Sequence, residues 1–378
     1  MTTRRSTSFR VRATLAAVAS ALALFIAELT LRVAASVGAR GTLRALHEPR
    51  PDRAWLYGLR PGADERLEAT GAVRYRINAD GFRDPLRSRQ AAPGTRRLVV
   101  LGDSLTFGYG VEQNDAFPAR LERLLSRPGA PAEVLNLGVN GYNPYNEARL
   151  LEEVARTYTP TLVLAQFCVN DLHDPTLHFD VQTRDRLIAI PDAAFPDPSV
   201  RRPRPGTAQR LCRTSRLCAL LEDRIGASLR SESPEQALLA LLAPPERLRQ
   251  RDREWLRARW GEMAAEAERI GARFAIVVFP YREQIASQSA AQLQQDLADL
   301  GRMAGWPVID LLPAFRSTFT GGERSLFLDA WHPSAEGHRV AAEVIASRLG
   351  ELQLLPPGAI QGGADSTPGS LADTSAGP

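Results

Sequence analysis

The chain has 378 residues, 44% of them hydrophobic and 24% charged, which excludes a disordered or collagen-like polymer. The formal charge is only +4 and no basic stripe interleaved with aromatics is present, so nucleic acid is not an expected partner. All 47 basic residues are arginine, which excludes a Schiff-base lysine, a Ser-Lys dyad and the lysine of a phosphate loop.

Arg4, Arg5, Arg10 and Arg12, with no acid among them, precede an apolar stretch from Ala13 to Leu31. A helix of that length spans roughly 28 Å, close to the ~30 Å hydrocarbon core, and the arginines mark the cytoplasmic side. Residues 1–12 are expected to be a cytoplasmic basic segment and residues 13–35 a transmembrane signal anchor. The competing expectation is a signal peptide cleaved near Val37-Gly38-Ala39; the length of the apolar run favours the anchor. Glu28 interrupts the run near its outer end. Either reading places the rest of the chain outside the cytoplasm, held at the inner membrane and facing the periplasm, or secreted if the signal is cut. No cysteine follows the apolar run, so a lipoprotein anchor is not expected.

Residues 36–95 read as a polar connector and N-terminal extension. Its segment from Tyr75 to Arg83 contains Asn78-Ala79-Asp80-Gly81, a turn signal. Beyond it the pattern changes. Short apolar runs at Leu98–Leu101, Val134–Leu137, Thr161–Phe167, Phe274–Phe279 and Pro307–Asp310 predict five strands. Helical spacing over Ala116–Leu125, Tyr145–Tyr158, Arg253–Ile270 and His338–Leu349 predicts the helices between and after them. Strands alternating with helices imply a parallel sheet covered on both faces, here over residues 96–352. Residues 172–252 break the rhythm with a Pro- and Arg-rich loop from Pro191 to Pro205 and short helical pieces, and read as an insertion or cap over the active edge. The tail, 353–378, rich in Gly, Ser, Ala, Asp, Thr and Pro from Pro356 on, is expected to be disordered. Cys168, Cys212 and Cys218 are too few for a disulfide scaffold; Cys212 and Cys218 either pair in an oxidising compartment or remain two thiols on an Arg-rich helix.

In such sheets chemistry sits just beyond the carboxyl ends of the strands. The first three strands each lead into a polar cluster there: Gly102-Asp103-Ser104-Leu105, Asn136 to Gly141, and Asn170-Asp171. Asp329-Ala330-Trp331-His332-Pro333 precedes the last helix. Ser104 is the candidate nucleophile, with a helix N-cap as its alternative role. The surrounding frame is not a lipase elbow, because Thr106 stands where Gly-x-Ser-x-Gly needs glycine. A hydroxyl is a poor nucleophile until an imidazole takes its proton, and a carboxylate fixes that ring's tautomer; His332 and Asp329 fit these roles. His338 has Ala335 three residues before it, His173 and His178 fall in the insertion, and His47 in the connector. Gly138, through its backbone N–H, Asn170, through its amide, and the Ser104 N–H are candidate oxyanion donors. Tyr109, Tyr142 and Asn143 are candidate pocket residues, packing being the alternative. There is no His-Glu-x-x-His and no zinc-like cysteine spacing, so neither metal nor cofactor is expected.

These four clusters, in this order over about residues 96–352, resemble the SGNH (GDSL-type) hydrolase superfamily. The resemblance implies a flavodoxin-like three-layer α/β/α sandwich and ester hydrolysis through an acyl-serine. It implies Ser104 as nucleophile, His332 as base, Asp329 as its partner, and Gly138 and Asn170 as oxyanion donors. One departure is visible: the third block of that family reads Gly-x-Asn-Asp, and here Cys168 takes the glycine's place. The segment Tyr75–Arg83 also looks like that of membrane-anchored bacterial members. Combined with the export signal, the resemblance points to an esterase that removes acetyl or other short acyl groups from a cell-envelope glycan. An O-acyltransferase on envelope polysaccharide, using the same serine, is the alternative; in such relatives the Asp/His pair precedes the serine, whereas here it follows. A non-catalytic glycan-binding protein on a decayed hydrolase fold would have lost a catalytic residue, and none is lost.

Overall fold

The computed structural model of the chain describes residues 3–37, 43–50, 53, 55, 57–67, 70–172, 215, 217–218, 247–286, 291–319 and 326–355. Helix α1 (Thr3–Val37) contains the span Val11–Arg32, with a mean hydropathy of 2.0 and none of its strongest apolar window buried. It is long and apolar enough to cross a membrane. Glu28 within it bonds Arg32 at 2.8 Å and accepts from the Ser215 hydroxyl at 3.0 Å and the Leu217 N–H at 2.9 Å. The carboxylate that interrupts the apolar run therefore has partners within the chain.

The connector carries more order than its composition suggests. A short helix, α2 (Leu43–Leu46), leads into strand β1 (His47–Pro49), which pairs antiparallel with β2 (Tyr57–Leu59); β3 (Asp64–Leu67) pairs antiparallel with β4 (Val73–Arg76). Strands of three or four residues lie below what a period-two pattern reveals in a sequence.

The main sheet is parallel and five-stranded: β5 (Arg96–Gly102), β6 (Ala132–Gly138), β7 (Leu162–Phe167), β8 (Arg273–Val278) and β9 (Val308–Asp310), in the order β6-β5-β7-β8-β9. This is the flavodoxin-like order, with its switch point between β5 and β7. Leu98, Val99, Val100 and Leu101 are all completely buried, as expected of a central strand covered on both faces. Between the strands run α3 (Ser104–Phe107), α4 (Phe117–Leu125), α5 (Pro144–Tyr158), α6 (Gln250–Arg269), α7 (Arg282–Ala286) and α8 (Ala291–Ala304); α9 (Leu312–Thr318) and α10 (Ala335–Glu351) follow β9. Helices α5 and α6 pack together on one face, α4 and α10 on the other, which completes the three layers.

The sequence pattern does not mark α8. Its buried leucines, Leu293, Leu297 and Leu300, do follow helical spacing, but glutamines and aspartates dilute the stripe. Most of the expected 172–252 insertion, and the tail beyond Leu355, lie outside the described residues. Cys168 is a buried free thiol and Cys218 is disulfide-bonded, while Cys212 lies outside the described residues.

Candidate active site

Strand β5 ends at Gly102, and the chain turns at once into the four-residue helix α3. Asp103, not Ser104, caps that helix: its Oδ1 accepts the Leu105 N–H at 2.9 Å. The Asp103 N–H and the Thr106 hydroxyl both donate to Gln166 Oε1 on β7, at 3.1 and 3.0 Å, which pins the turn to the neighbouring strand. The Ser104 hydroxyl is thereby left out of the cap. It lies 2.9 Å from His332 Nε2, across 228 positions of sequence.

His332 sits in a tight loop before α10. Phe327 and Pro333 bridge antiparallel, and the Leu328 N–H donates to the His332 carbonyl at 2.8 Å. Within this loop Asp329 holds the ring twice over. Its Oδ2 is 2.7 Å from His332 Nδ1, and its Oδ1 accepts the backbone N–H groups of Trp331 and His332, both at 2.8 Å. Burial pushes the Asp329 carboxyl up, but the hydrogen bond and charge of the His332 ring, with those two N–H groups, outweigh it and hold the carboxyl at about 2. A carboxylate ionised throughout the neutral range faces Nδ1, so the proton of a neutral ring sits there and Nε2 is left to accept from Ser104.

Asn170 lies in a single 3₁₀ turn (Val169–Leu172) after β7, and its Nδ2 donates to Asp103 Oδ2 at 2.6 Å. Asp103 thus joins α3 to this amide. Sequence reasoning assigned Asp103 no role, although Asp is among the preferred N-caps. Burial raises the Asp103 carboxyl above its usual value, and Asn170, the Leu105 N–H and the nearby His332 offset only part of that rise.

The expectation for Gly138 needs correcting. Its N–H donates to Asn136 Oδ1 at 3.0 Å and is not presented to a ligand. What requires glycine there is close approach: a Cβ would lie 2.2 Å from the Phe107 nitrogen and 2.6 Å from the Thr106 carbonyl carbon, so α3 passes directly over it. Gly141, three residues on, is buried with φ +81°, and neither its N–H nor that of Ser104 makes a hydrogen bond among the described residues. The Asn140-Gly141 turn dipeptide was the available signal.

Of the expected pocket residues, Tyr109 is half-buried, with its ring against that of His332. Tyr142 and Asn143 belong to the core, each 1% exposed. The Tyr142 hydroxyl donates to the Tyr57 carbonyl at 2.5 Å, and Asn143 caps α5 by accepting the Tyr145 N–H at 3.0 Å. His338 is fully buried and accepts the Phe117 N–H on Nδ1; burial and neighbouring positive charges bring it down to about 3. It is a neutral core histidine.

Behind the site two more carboxyls are buried, Glu147 on α5 and Asp171 beside Asn170. Neither Glu147 oxygen has a hydrogen-bond partner among the described residues. Burial, with repulsion from Asp103, raises Glu147 well above its usual value; burial, with Glu147 and Asp103, does the same for Asp171. A group raised in the folded state binds its proton more tightly there than in the unfolded chain, so its contribution is complete below the unfolded value near 4.5 and declines as pH rises toward the folded value. Each such group steepens the decline by up to about 1.4 kcal/mol per pH unit. Glu147→Gln is therefore expected to flatten the fall in melting temperature as pH rises above about 5. Parallel profiles for variant and wild type would contradict this.

The profile of the "GDSL-like Lipase/Acylhydrolase family" matches residues 100–340, well over half of the chain. An arylesterase from Vibrio mimicus is 32% identical over 81 residues, a stretch covering 21% of this chain and 40% of that relative. Among solved structures, an acetylxylan esterase from Geobacillus stearothermophilus is 13% identical with a TM-score of 0.41, covering 68% of this chain and 94% of that one. A psychrotrophic esterase from Pseudoalteromonas sp. is 11% identical with a TM-score of 0.40, covering 68% and 98%. On the sequence match, which takes in the Ser104, Gly138, Asn170 and Asp329–His332 clusters, this chain belongs to the GDSL-like lipase/acylhydrolase family.

Proposed function

We propose that this protein is an extracytoplasmic serine esterase that hydrolyses acetyl or other short-chain acyl esters of a cell-envelope glycan, anchored by α1, with residues 96–352 as its catalytic domain. The observation that carries the reading is the unbroken relay from Asp329 through His332 to Ser104, at 2.7 and 2.9 Å. Ser104 Oγ attacks the ester carbonyl carbon while its proton passes to Nε2, and the Asp329 carboxylate stabilises the resulting imidazolium. The oxyanion is received by the Ser104 and Gly141 N–H groups and by Asn170 Nδ2, the last aimed by Asp103. Collapse of the intermediate returns the proton from Nε2 to the departing alcohol. Water then enters by the same route in reverse and releases the acid. The basic segment ahead of an apolar helix supports placement of the catalytic domain outside the cytoplasm.

The test is a series of p-nitrophenyl esters, from acetate to laurate, given to the detergent-solubilised full chain. We expect kcat/KM to be highest for acetate or butyrate and to fall with chain length. A rate that climbs steadily to laurate would contradict the short-chain assignment.

A further inference from the structure

We propose that Tyr109 is a positioning residue for His332: its ring, held in place by the N-terminal extension, covers the imidazole and keeps Nε2 on Ser104. The inference rests on the serine-esterase reading above. The two ring centroids are 4.6 Å apart with planes inclined at 48°. Asp329 fixes the ring along its Nδ1 edge, and a wall on its face restrains the tilting which that edge contact leaves. The His332 side chain is 18% exposed, so the rest of its surroundings do not enclose it completely. When the ring takes the serine proton, the face of Tyr109 also meets a cation, the favourable arrangement for an aromatic ring.

The chain is built to bring Tyr109 there. It lies between Gly108 and Gly110, which have φ of +81° and +82°, and its N–H bonds back to the Ser104 carbonyl at 2.9 Å. A Cβ on Gly110 would come within 2.2 Å of Leu328, so this loop lies directly against the loop that carries His332. The far side of the Gly-Tyr-Gly loop is held by the connector. The Tyr75 hydroxyl accepts the Gly110 N–H at 2.7 Å. Arg83 is completely buried, with its guanidinium carbon 4.2 Å from the Tyr75 ring centroid and 5.2 Å from that of Phe107. Its Nη1 donates to the carbonyls of Phe107 and Gly108, at 3.0 and 2.6 Å, and its Nη2 to that of Val111 at 2.7 Å. A buried cation whose Nη1 and Nη2 donate to backbone carbonyls on both sides of Tyr109 fixes that loop more firmly than a solvent-facing pair would. The Tyr75–Arg83 segment thereby acquires a task at the catalytic edge.

The experiment uses the full chain and a fluorophosphonate probe. In this reaction Ser104 Oγ displaces fluoride at phosphorus and its proton passes to Nε2, so the maximal labelling rate reports how well His332 is placed, whatever the natural ester. We expect Tyr109→Phe, which keeps the ring, to label within about twofold of wild type. Tyr109→Leu should label about 10- to 100-fold more slowly at saturation, with half-saturating probe concentration within about twofold, the scale expected of a misplaced catalytic group. Thermal melts run alongside, and Tyr109→Met replaces the leucine variant if that one melts early. A leucine or methionine variant with an undiminished maximal rate would overturn the proposal, as would one altered only in half-saturation, which would make Tyr109 a wall for the ligand. Wild type that does not label at Ser104 would overturn the serine-esterase reading together with this one.

Discussion

Ser104→Ala is expected to lower turnover of a short p-nitrophenyl ester by about 10⁴- to 10⁶-fold, the range seen when a serine nucleophile is removed from a working triad. The same substitution should leave the fold intact. Asp103 carries the N-cap, so the alanine removes no cap. The hydrogen bond lost is the one to His332, worth about 0.5–1.5 kcal/mol net. Kinetics on the short ester and a thermal melt, made on the same preparation, check both halves. A variant that keeps a tenth of wild-type turnover would mean that another group does the chemistry. A variant that loses turnover only because it unfolds would contradict the capping argument.

The second large effect is expected for Asp329→Asn, near 10⁴-fold in kcat. The structure supplies the reason. Asp329 Oδ1 is committed to two backbone N–H groups, those of Trp331 and His332. An asparagine must place its carbonyl oxygen there, because an NH₂ cannot accept. Its NH₂ then replaces Oδ2 opposite His332 Nδ1 and donates to the ring. That drives the ring proton to Nε2, where it points at Ser104 and can no longer be replaced by the serine's own. The ring geometry stays and the tautomer is wrong. Steady-state kinetics at neutral pH provide the check, and a loss of less than tenfold would show that the backbone pair does not dictate the amide's orientation.

The layered sheet was legible because buried parallel strands are written as short continuous apolar runs, such as Leu98–Leu101 in β5 and Leu162–Ala165 in β7. The candidate site was legible for a related reason: polar clusters directly after such runs have few places to go, and those at Ser104 and Asn170 do lie together. Other features were hidden by facts of three-dimensional partnership. Nothing in the string tells that Asn136 already occupies the Gly138 N–H. Nothing separates a loop tyrosine that reaches the imidazole, Tyr109, from one that closes the core against Tyr57, Tyr142. The connector was least legible. Its order comes from short antiparallel pairs and from a buried arginine, Arg83, most of whose acceptors lie more than twenty residues away.

The proposed esterase activity requires Ser104 and His332 to share a proton. Peptide-level mass spectrometry of the full chain after fluorophosphonate treatment tests this most directly, run beside His332→Ala. One phosphonyl group on Ser104 in the wild type, formed at least a thousandfold more slowly without the imidazole, is the result expected. A label that settles on another residue, or that reaches Ser104 equally fast in both proteins, would contradict it.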